Sequence, residues 1–277
     1  MKCYNSGFKN SLLRYKALAT YQAKRYEGMR ALVTGASSGM GYEMAKILDT
    51  MGIEVIITGR REARLYALAD ELSHCGKIII ADISDRGEVE RLFAEAGDVD
   101  IVINNAGLGI HGAFHETSLA EELSVLDINI TALHMLTKFS YQHFKEKGSG
   151  YLMNVASSAA FFAGPYFASY YASKAYVLRL TQALWKEARS EKIDIGISVF
   201  CPGPVDTEFN KRARVNVPLE GMRAEAAARK AIRGMFQRKC VITPGIGATV
   251  SYWGSKILPD RLALDMVARI QRKKAGK

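Results

Sequence analysis

Two side chains able to move a proton, Tyr170 and Lys174, stand four residues apart in the chain. On a helix, residues four apart lie on one face, so the phenol and the ammonium would be one turn apart. A phenol has an ordinary pKa near ~10 and is a poor base at neutral pH. A neighbouring ammonium lowers that pKa, so the pair predicts a proton-transfer catalyst. The same spacing is also typical of an ordinary packed ring and solvated amine, so the prediction depends on other motifs.

Composition indicates an intracellular globular protein. Of the 277 residues, 48% are hydrophobic, which is ample for a core. No run of about 18 apolar residues or signal peptide is recognisable, so we predict no membrane span and a cytoplasmic location. Four widely spaced cysteines without a CxxC pair predict reduced thiols and no metal site: Cys3, Cys75, Cys201 and Cys240.

The net charge of +10 is concentrated at the two ends of the chain. Residues 1–28 contain six Lys or Arg and one acid, and residues 256–277 contain seven Lys or Arg and two acids. The region between them is nearly neutral, which argues against a nucleic-acid-binding protein. Solvated termini explain this pattern, and peripheral attraction of the basic tails to an anionic surface is the alternative.

From Met29 onward, short apolar runs alternate with amphipathic segments. Continuous apolar strands separated by helices indicate a parallel sheet covered on both faces. We predict an α/β protein with a single Rossmann-fold domain, in which helices flank a doubly wound, mostly parallel seven-stranded sheet. Strands are expected at 30–34, 54–58, 77–81, 100–103, 151–155, 195–200 and 240–243. Helices are expected at 40–51, 62–73, 86–95, 119–146, 169–190, 223–236 and 257–271.

Three regions follow from these patterns. Residues 1–28 form a basic amphipathic extension, which suits a docking helix or a targeting peptide, and Met29 could be an alternative start. Residues 29–255 form the catalytic domain. Residues 256–277 form a basic C-terminal helix.

A glycine-rich loop follows the first strand and opens the first helix. In that position glycines permit a tight turn and close approach of backbone amides to a phosphate at the helix N-terminus. An ordinary turn is the alternative. The predicted cofactor contacts in this loop are Gly35, Ser37, Ser38, Gly39, Met40 and Gly41.

Arg60 and Arg61 follow the second strand, where an NAD site would offer a carboxylate to the ribose. A guanidinium can instead clamp a 2′-phosphate with two hydrogen bonds. Because the helix dipole disfavours cations at a helix N-terminus, two arginines there favour a bound anion over mere surface exposure. We therefore predict NADP(H) as the cofactor.

Together these motifs resemble the short-chain dehydrogenase/reductase family over about residues 29–245. The remaining motifs that carry the resemblance run in the family's order: Asp82, the stretch 104–107, Asn129, Ser157, Tyr170 with Lys174, and the stretch 202–207. The resemblance implies further cofactor contacts at Asp82, Ile83, Asn104, Asn105, Ala106, Gly107, Tyr170, Lys174, Pro202, Gly203, Val205 and Thr207. Without the family resemblance, several of these residues would be interpreted as ordinary turn residues.

The resemblance also implies a catalytic tetrad of Asn129, Ser157, Tyr170 and Lys174. Tyr170 would exchange a proton with the substrate oxygen, and Ser157 would orient that oxygen. Lys174 would lower the pKa of Tyr170 and hold the ribose, while Asn129 would anchor a water that supplies protons to Lys174. Tyr171 and Ser158 compete for the tyrosine and serine roles. The four-residue spacing to Lys174 favours Tyr170, and the separation of serine and tyrosine in the family that the chain resembles favours Ser157.

The substrate is expected to be a small hydrophobic ketone or secondary alcohol. Aromatic residues between 159 and 167 and a mixed apolar and basic stretch at 206–222 would face the nicotinamide. The Gly-Arg-Arg-Glu run and overall organisation resemble hydroxysteroid dehydrogenases of the family, which implies a steroid or bile acid.

Three alternatives remain open from the sequence. A 3-oxoacyl-thioester reductase is the second enzymatic interpretation, and a cofactor-sensing or scaffold protein is the non-enzymatic one. A membrane- or nucleic-acid-binding module rests only on the basic tails. The long helices at 119–146 and 169–190 are the faces by which the family assembles, so we expect a homo-oligomer.

Overall fold

A sheet of seven parallel strands forms the centre of the computed structural model, which describes residues 26–215 and 221–274. In chain order the described strands are β1 (Arg30–Thr34), β2 (Glu54–Gly59), β3 (Cys75–Ile80), β4 (Ile101–Asn104), β5 (Ser149–Val155), β6 (Asp194–Phe200), β7 (Val205–Asp206), β8 (Met222–Arg223) and β9 (Val241–Ile242). The spatial order of the sheet is β3-β2-β1-β4-β5-β6-β9, and the two short strands β7 and β8 pair outside it. This confirms the predicted α/β fold.

The apolar sequences of the central strands follow from burial on both faces. Leu32 of β1 pairs in register with Ile56 of β2 and Val102 of β4, and all three side chains are fully buried. Helices on both faces of the sheet exclude water from such strands, so neither face requires polar residues. The strand order reverses between β1 and β4, and a crevice opens at the carboxyl ends of the strands at such a point.

The α-helices of the described residues are α1 (Gly39–Thr50), α2 (Glu62–Glu71), α3 (Arg86–Ala96), α4 (Leu119–Leu126), α5 (Leu133–Lys147), α6 (Ala168–Ser190), α7 (Glu208–Arg212), α8 (Ala224–Phe236), α9 (Ile246–Gly254) and α10 (Asp260–Lys274). They match the predicted segments, with three differences. The short helices α7 and α9 were not predicted, and the predicted helix 119–146 is divided by a π-helical turn at Asp127–Ala132.

Most of the predicted N-terminal extension lies outside the described residues, as do residues 216–220 of the stretch 206–222 that is expected to face the nicotinamide. Tyr26, at the start of the described part, is buried and packs its ring 4.3 Å from the ring of Phe236 on α8. Of the described residues, none belongs to a helix that is both long and apolar enough to cross a bilayer.

Candidate active site

A cleft of about 300 Å³ opens at the carboxyl ends of the strands, where the strand order reverses. It is lined by residues from the loops after β1, β2, β3, β4, β5 and β6, so it collects segments that are far apart in sequence. The predicted site residues on its wall are Gly35, Ser37, Ser38, Gly39, Met40, Arg60, Arg61, Asp82, Ile83, Asn105, Ala106, Gly107, Ser157, Tyr170, Lys174, Pro202, Gly203, Val205 and Thr207.

The glycine loop after β1 has no room for a side chain at Gly35 or Gly39. Gly35 and Gly39 have φ angles of +67° and +60°, which disfavour any residue with a Cβ. A Cβ on Gly35 would lie 2.9 Å from the Cα of Ala106, and one on Gly39 would lie 3.1 Å from Cγ2 of Thr207. The loop is therefore shaped to let its backbone reach the floor of the cleft.

The first turn of α1 offers backbone donors to this cleft. Ser38 is the N-cap residue, but its side chain accepts no hydrogen bond from the first turn. A helix N-terminus without a side-chain cap carries unsatisfied N–H groups and a positive dipole end, which together suit a phosphate. Thr34 fixes the loop from below, because its hydroxyl oxygen accepts hydrogen bonds from the backbone N–H groups of Asn105 and Ala106.

Four arginines and two carboxylates surround the mouth of the cleft beside this loop. Glu208 pairs with Arg61, Arg64 and Arg212, and Asp82 pairs with Arg60. Hydrogen bonds from Arg64, Arg61 and Arg212 lower the pKa of Glu208 to about 2. The protein itself therefore supplies part of the negative charge that the sequence predicts beside Arg60 and Arg61, because Asp82 and Glu208 pair with them. Four guanidinium groups against two carboxylates still leave two positive charges.

Tyr170 and Ser157 both line the cleft. Tyr170 lies in the first turn of α6 and is nine-tenths buried, and Ser157 follows β5. Burial raises the pKa of Tyr170 to about 12, although the nearby Ser157 hydroxyl acts in the opposite direction. The prediction that this pKa is lowered is wrong for the polypeptide by itself, because removal of the phenol from water outweighs every favourable contact.

Lys174 is buried one turn further along α6. Its ammonium donates to the carbonyl oxygen of Val155 at 2.9 Å and lies 5.8 Å from the centroid of the Tyr170 ring. Burial lowers the pKa of Lys174 to about 8. The ammonium therefore uses one of its donors for the carbonyl oxygen of Val155, and burial disfavours its charged form.

Asn129 lies in the π-helical turn, where the extra residue per turn changes the direction of the side chain. Its amide oxygen accepts from the backbone N–H of Leu108, and its Nδ2 donates to the carbonyl oxygen of Leu108 and to Ser173 Oγ. A Cβ on Gly107 would lie 3.2 Å from both Asn129 Oδ1 and Lys174 Nζ. Asn129 therefore clamps the loop after β4 beside the lysine, behind the cleft wall.

Two predicted cofactor contacts lie elsewhere. Gly41 is buried against the loop, where a Cβ would lie 2.5 Å from Gly35 O and from Asn105 Nδ2, so its role is close packing of α1. Asn104 is also buried and donates to Asn154 Oδ1 at 2.9 Å within the sheet. Alternation along β4 turns Asn104 into the core and leaves Asn105 at the cleft.

Aromatic rings cover Tyr170 at the other end of the cleft. Phe167 stacks on the Tyr170 ring with centroids 4.4 Å apart, and Phe209 of α7 lies 5.3 Å from it. Gly109 approaches both phenylalanines, because its Cβ would lie within 3.0 Å of each. Sequence reasoning placed aromatic residues here but did not single out Phe209, which a closer reading of the stretch 206–222 would have identified.

Gln271 of α10 also lines this end, and no sequence signal indicated it. The side chain is almost fully buried, and its Nε2 donates to the hydroxyl of Tyr171 at 2.5 Å. The amide oxygen Oε1 has no partner among the described residues. A buried amide oxygen without a partner costs free energy, so it is available to a ligand that carries a donor.

The fold is a doubly wound α/β fold, and Ser157 and Tyr170 line the cleft at the switch point of its sheet. Residues 29–217 match the family model described as short chain dehydrogenase, and the chain belongs to this family of oxidoreductases. One relative, an uncharacterized oxidoreductase of Staphylococcus epidermidis, is 30% identical over 185 residues, which cover 65% of this chain and 80% of the relative.

Three solved structures share the fold. A short-chain dehydrogenase from Sphingobium yanoikuyae in complex with NADPH is 28% identical, with a TM-score of 0.75 and coverage of 82% of this chain and 92% of its own. A 3-ketoacyl-(acyl-carrier-protein) reductase from Brucella melitensis complexed with NADH is 27% identical, with a TM-score of 0.70 and coverage of 79% and 98%. A 7beta-hydroxysteroid dehydrogenase gives a TM-score of 0.77 with coverage of 89% and 99%, but at 20% identity it shows the fold alone.

Proposed function

We propose that the protein is an NADP(H)-dependent oxidoreductase that interconverts a hydrophobic ketone and its secondary alcohol. The observation that carries the proposal is that Tyr170 and Ser157 line one cleft together with the glycine loop. The proton-transfer group and the phosphate-binding backbone therefore face the same space.

The preference for a 2′-phosphate rests on charge. The cluster formed by Arg60, Arg61, Arg64 and Arg212 with its two carboxylates carries two excess positive charges beside the glycine loop. A phosphate monoester carries close to two negative charges near neutral pH, so it would neutralise the cluster. The loop and the uncapped turn of α1 would hold the pyrophosphate.

In this proposal the bound cofactor supplies or accepts the hydride. Tyr170 carries the proton at its hydroxyl oxygen, and its raised pKa keeps that proton in place at neutral pH, which suits donation to a carbonyl oxygen. Ser157 donates a hydrogen bond to the same oxygen and orients it. Lys174 keeps two of its three donors beyond the bond to Val155 for ligand hydroxyls, and Asn129 holds the loop of Leu108 in place.

The aromatic end of the cleft supports an apolar substrate. Phe167, Phe209 and Tyr171 present ring surface around Tyr170, and a flat, fused-ring ketone such as a steroid would bury the most area against them. We therefore propose a steroid or bile acid as the substrate class.

The direct test measures NADPH oxidation with a series of cyclic and steroid ketones. We expect turnover that is selective for NADPH over NADH and that increases with the apolar area of the ketone. Absence of turnover with every ketone, despite tight NADPH binding, would overturn the proposal and favour a cofactor sensor or scaffold.

A 3-oxoacyl-thioester reductase is the second candidate, and the 27% identity to the Brucella reductase favours it. Acetoacetyl thioesters assayed beside the ketones separate the two. Turnover of the thioester alone would exclude the hydrophobic-ketone assignment but leave the chemistry of Tyr170 intact.

A further inference from the structure

Helix α9 exposes a continuous apolar face to solvent. Four large apolar side chains follow one another at helical spacing along α9 and the turn after it, and we call them the α9 stripe. They are Ile246 (84% exposed), Val250 (63%), Trp253 (62%) and Ile257 (84%). Residues spaced by three and four lie on one side of a helix, so the stripe forms a single surface.

The opposite side of α9 attaches it to the protein. Ala248 is buried, and the ring of Tyr252 packs 5.2 Å from that of Phe161. Thr249 donates from its hydroxyl to the carbonyl oxygen of Gly245 at 3.0 Å and also contacts Thr243. The helix is thus fixed by its polar and small residues, while its largest apolar residues face outward, which is the reverse of an ordinary surface helix.

Basic residues adjoin the stripe. Lys256 and Arg261 flank its C-terminal end, both are exposed, and neither forms an ion pair with another described residue. The segment from Lys256 to the end of the chain contains seven Lys or Arg and only two acids. All of these residues, and the α9 stripe itself, lie beyond the part of the chain that matches the family model, residues 29–217.

We propose that the α9 stripe docks the protein on a lipid bilayer whose headgroups are anionic. An exposed tryptophan with aliphatic neighbours suits the boundary between headgroups and acyl chains, and adjacent Lys and Arg suit anionic lipids. A second copy of the chain is a poorer occupant, because face-to-face pairing would bring two strongly basic segments together. The N-terminal segment is equally basic, with six Lys or Arg and one acid in residues 1–28, so it is repelled in the same way.

Fluorescence of Trp253 tests the proposal without knowledge of the substrate. The chain has two tryptophans, so a Trp185→Phe variant leaves Trp253 as its only reporter. With vesicles of phosphatidylcholine and phosphatidylglycerol we expect a blue shift of its emission, weakened by added salt. A spectrum that is already blue-shifted and protected from quenchers before vesicles are added would show that another part of the chain covers the stripe, and would overturn the proposal.

Co-sedimentation with the same vesicles identifies the residues responsible. In the full chain, Val250→Gln combined with Trp253→Gln keeps the net charge and is expected to weaken binding at least about tenfold, which corresponds to about 1.4 kcal/mol. Tyr66→Gln, which replaces an exposed aromatic side chain on α2, is the matched control and should bind like the wild type. Equal binding by the double variant would assign attachment to the basic tails alone, and self-association abolished by that variant would assign the stripe to a second copy.

Discussion

The two ends of the cleft are built in different ways. At the proposed nucleotide end, short motifs each place backbone groups and short side chains, and Thr34 joins the glycine loop after β1 to the loop after β4. At the proposed substrate end, Phe167, Phe209 and Gln271 come from three segments that are distant in sequence and lie together only in the folded protein. The part of a ligand that many related proteins bind in common can be held by short sequence motifs. The part that differs from protein to protein is contacted by residues that only the tertiary structure brings together.

The largest effect is expected at Tyr170, where the two ends meet. Tyr170→Phe removes the transferable proton but keeps the ring that stacks on Phe167, so catalysis should fall by about 10²–10⁴-fold. NADPH binding, measured by fluorescence titration, should stay within about threefold, because the nucleotide end is untouched. Tyr176→Phe, a half-exposed tyrosine on α6, is the control. Equal activity of the two variants would show that the proton comes from another group.

Lys174, which is buried beside Tyr170, tests whether burial controls the pKa of side chains where the two ends of the cleft meet. Its pKa of about 8 lies below the ordinary 10.5, so the unfolded chain binds more protons between these values, and the stability of the wild type rises with pH across that window. Lys174→Met removes this rise. From pH 8 to 9.5 the free energy of unfolding of the wild type should gain about 2 kcal/mol relative to the variant, as measured by urea titration. A constant difference would show that Lys174 is not desolvated.

Arg60 tests the charge of the nucleotide end. Arg60→Asp removes one guanidinium and adds a carboxylate beside Asp82, so the ratio of NADPH to NADH affinity should fall at least about tenfold. The control is Arg229→Asp on α8, an exposed arginine that pairs with Glu225. If the ratio is the same in both variants, the 2′-phosphate does not bind beside Arg60.

Gln271 tests the substrate end and should give the smallest effect. Gln271→Leu deletes the unpartnered amide oxygen. The value of kcat/KM should therefore fall about fivefold for ketones that also carry a hydroxyl group and remain unchanged for ketones without one. Gln142→Leu, on the exposed side of α5, should behave like the wild type. An equal loss for both kinds of ketone would indicate a purely structural contact with Tyr171.

The same contrast explains what the sequence could predict. The seven strands of the sheet were predicted within two residues at each end, because uninterrupted apolar runs have few structural alternatives. Ser157 and Tyr170, which the sequence predicts to be catalytic, line one cleft, because spacing along α6 and position after β5 are local properties. The predicted direction of the Tyr170 pKa shift was wrong, because burial of this ring depends in part on Phe209, which is distant in sequence.

Other parts depended on similar tertiary effects. Gly41 and Asn104 have the residue types of cofactor contacts, but the packing of α1 and the alternation of β4 direct them into the protein. Helix α9 was not predicted although its apolar residues recur at helical spacing, because its short sequence contains glycines and β-branched residues of low helix propensity. The predicted homo-oligomer, the cytoplasmic location and the three-region division remain predictions.

Transfer of deuterium from NADPH labelled at the reactive position of its nicotinamide tests the central claim most directly. With a cyclic ketone and the wild-type protein, we predict an alcohol that carries one deuterium on its carbinol carbon, formed at least about 100-fold more slowly by Tyr170→Phe. An unlabelled alcohol, or labelled product formed equally well by the Tyr170→Phe variant, would contradict the claim that this cleft joins hydride transfer to a proton held by Tyr170.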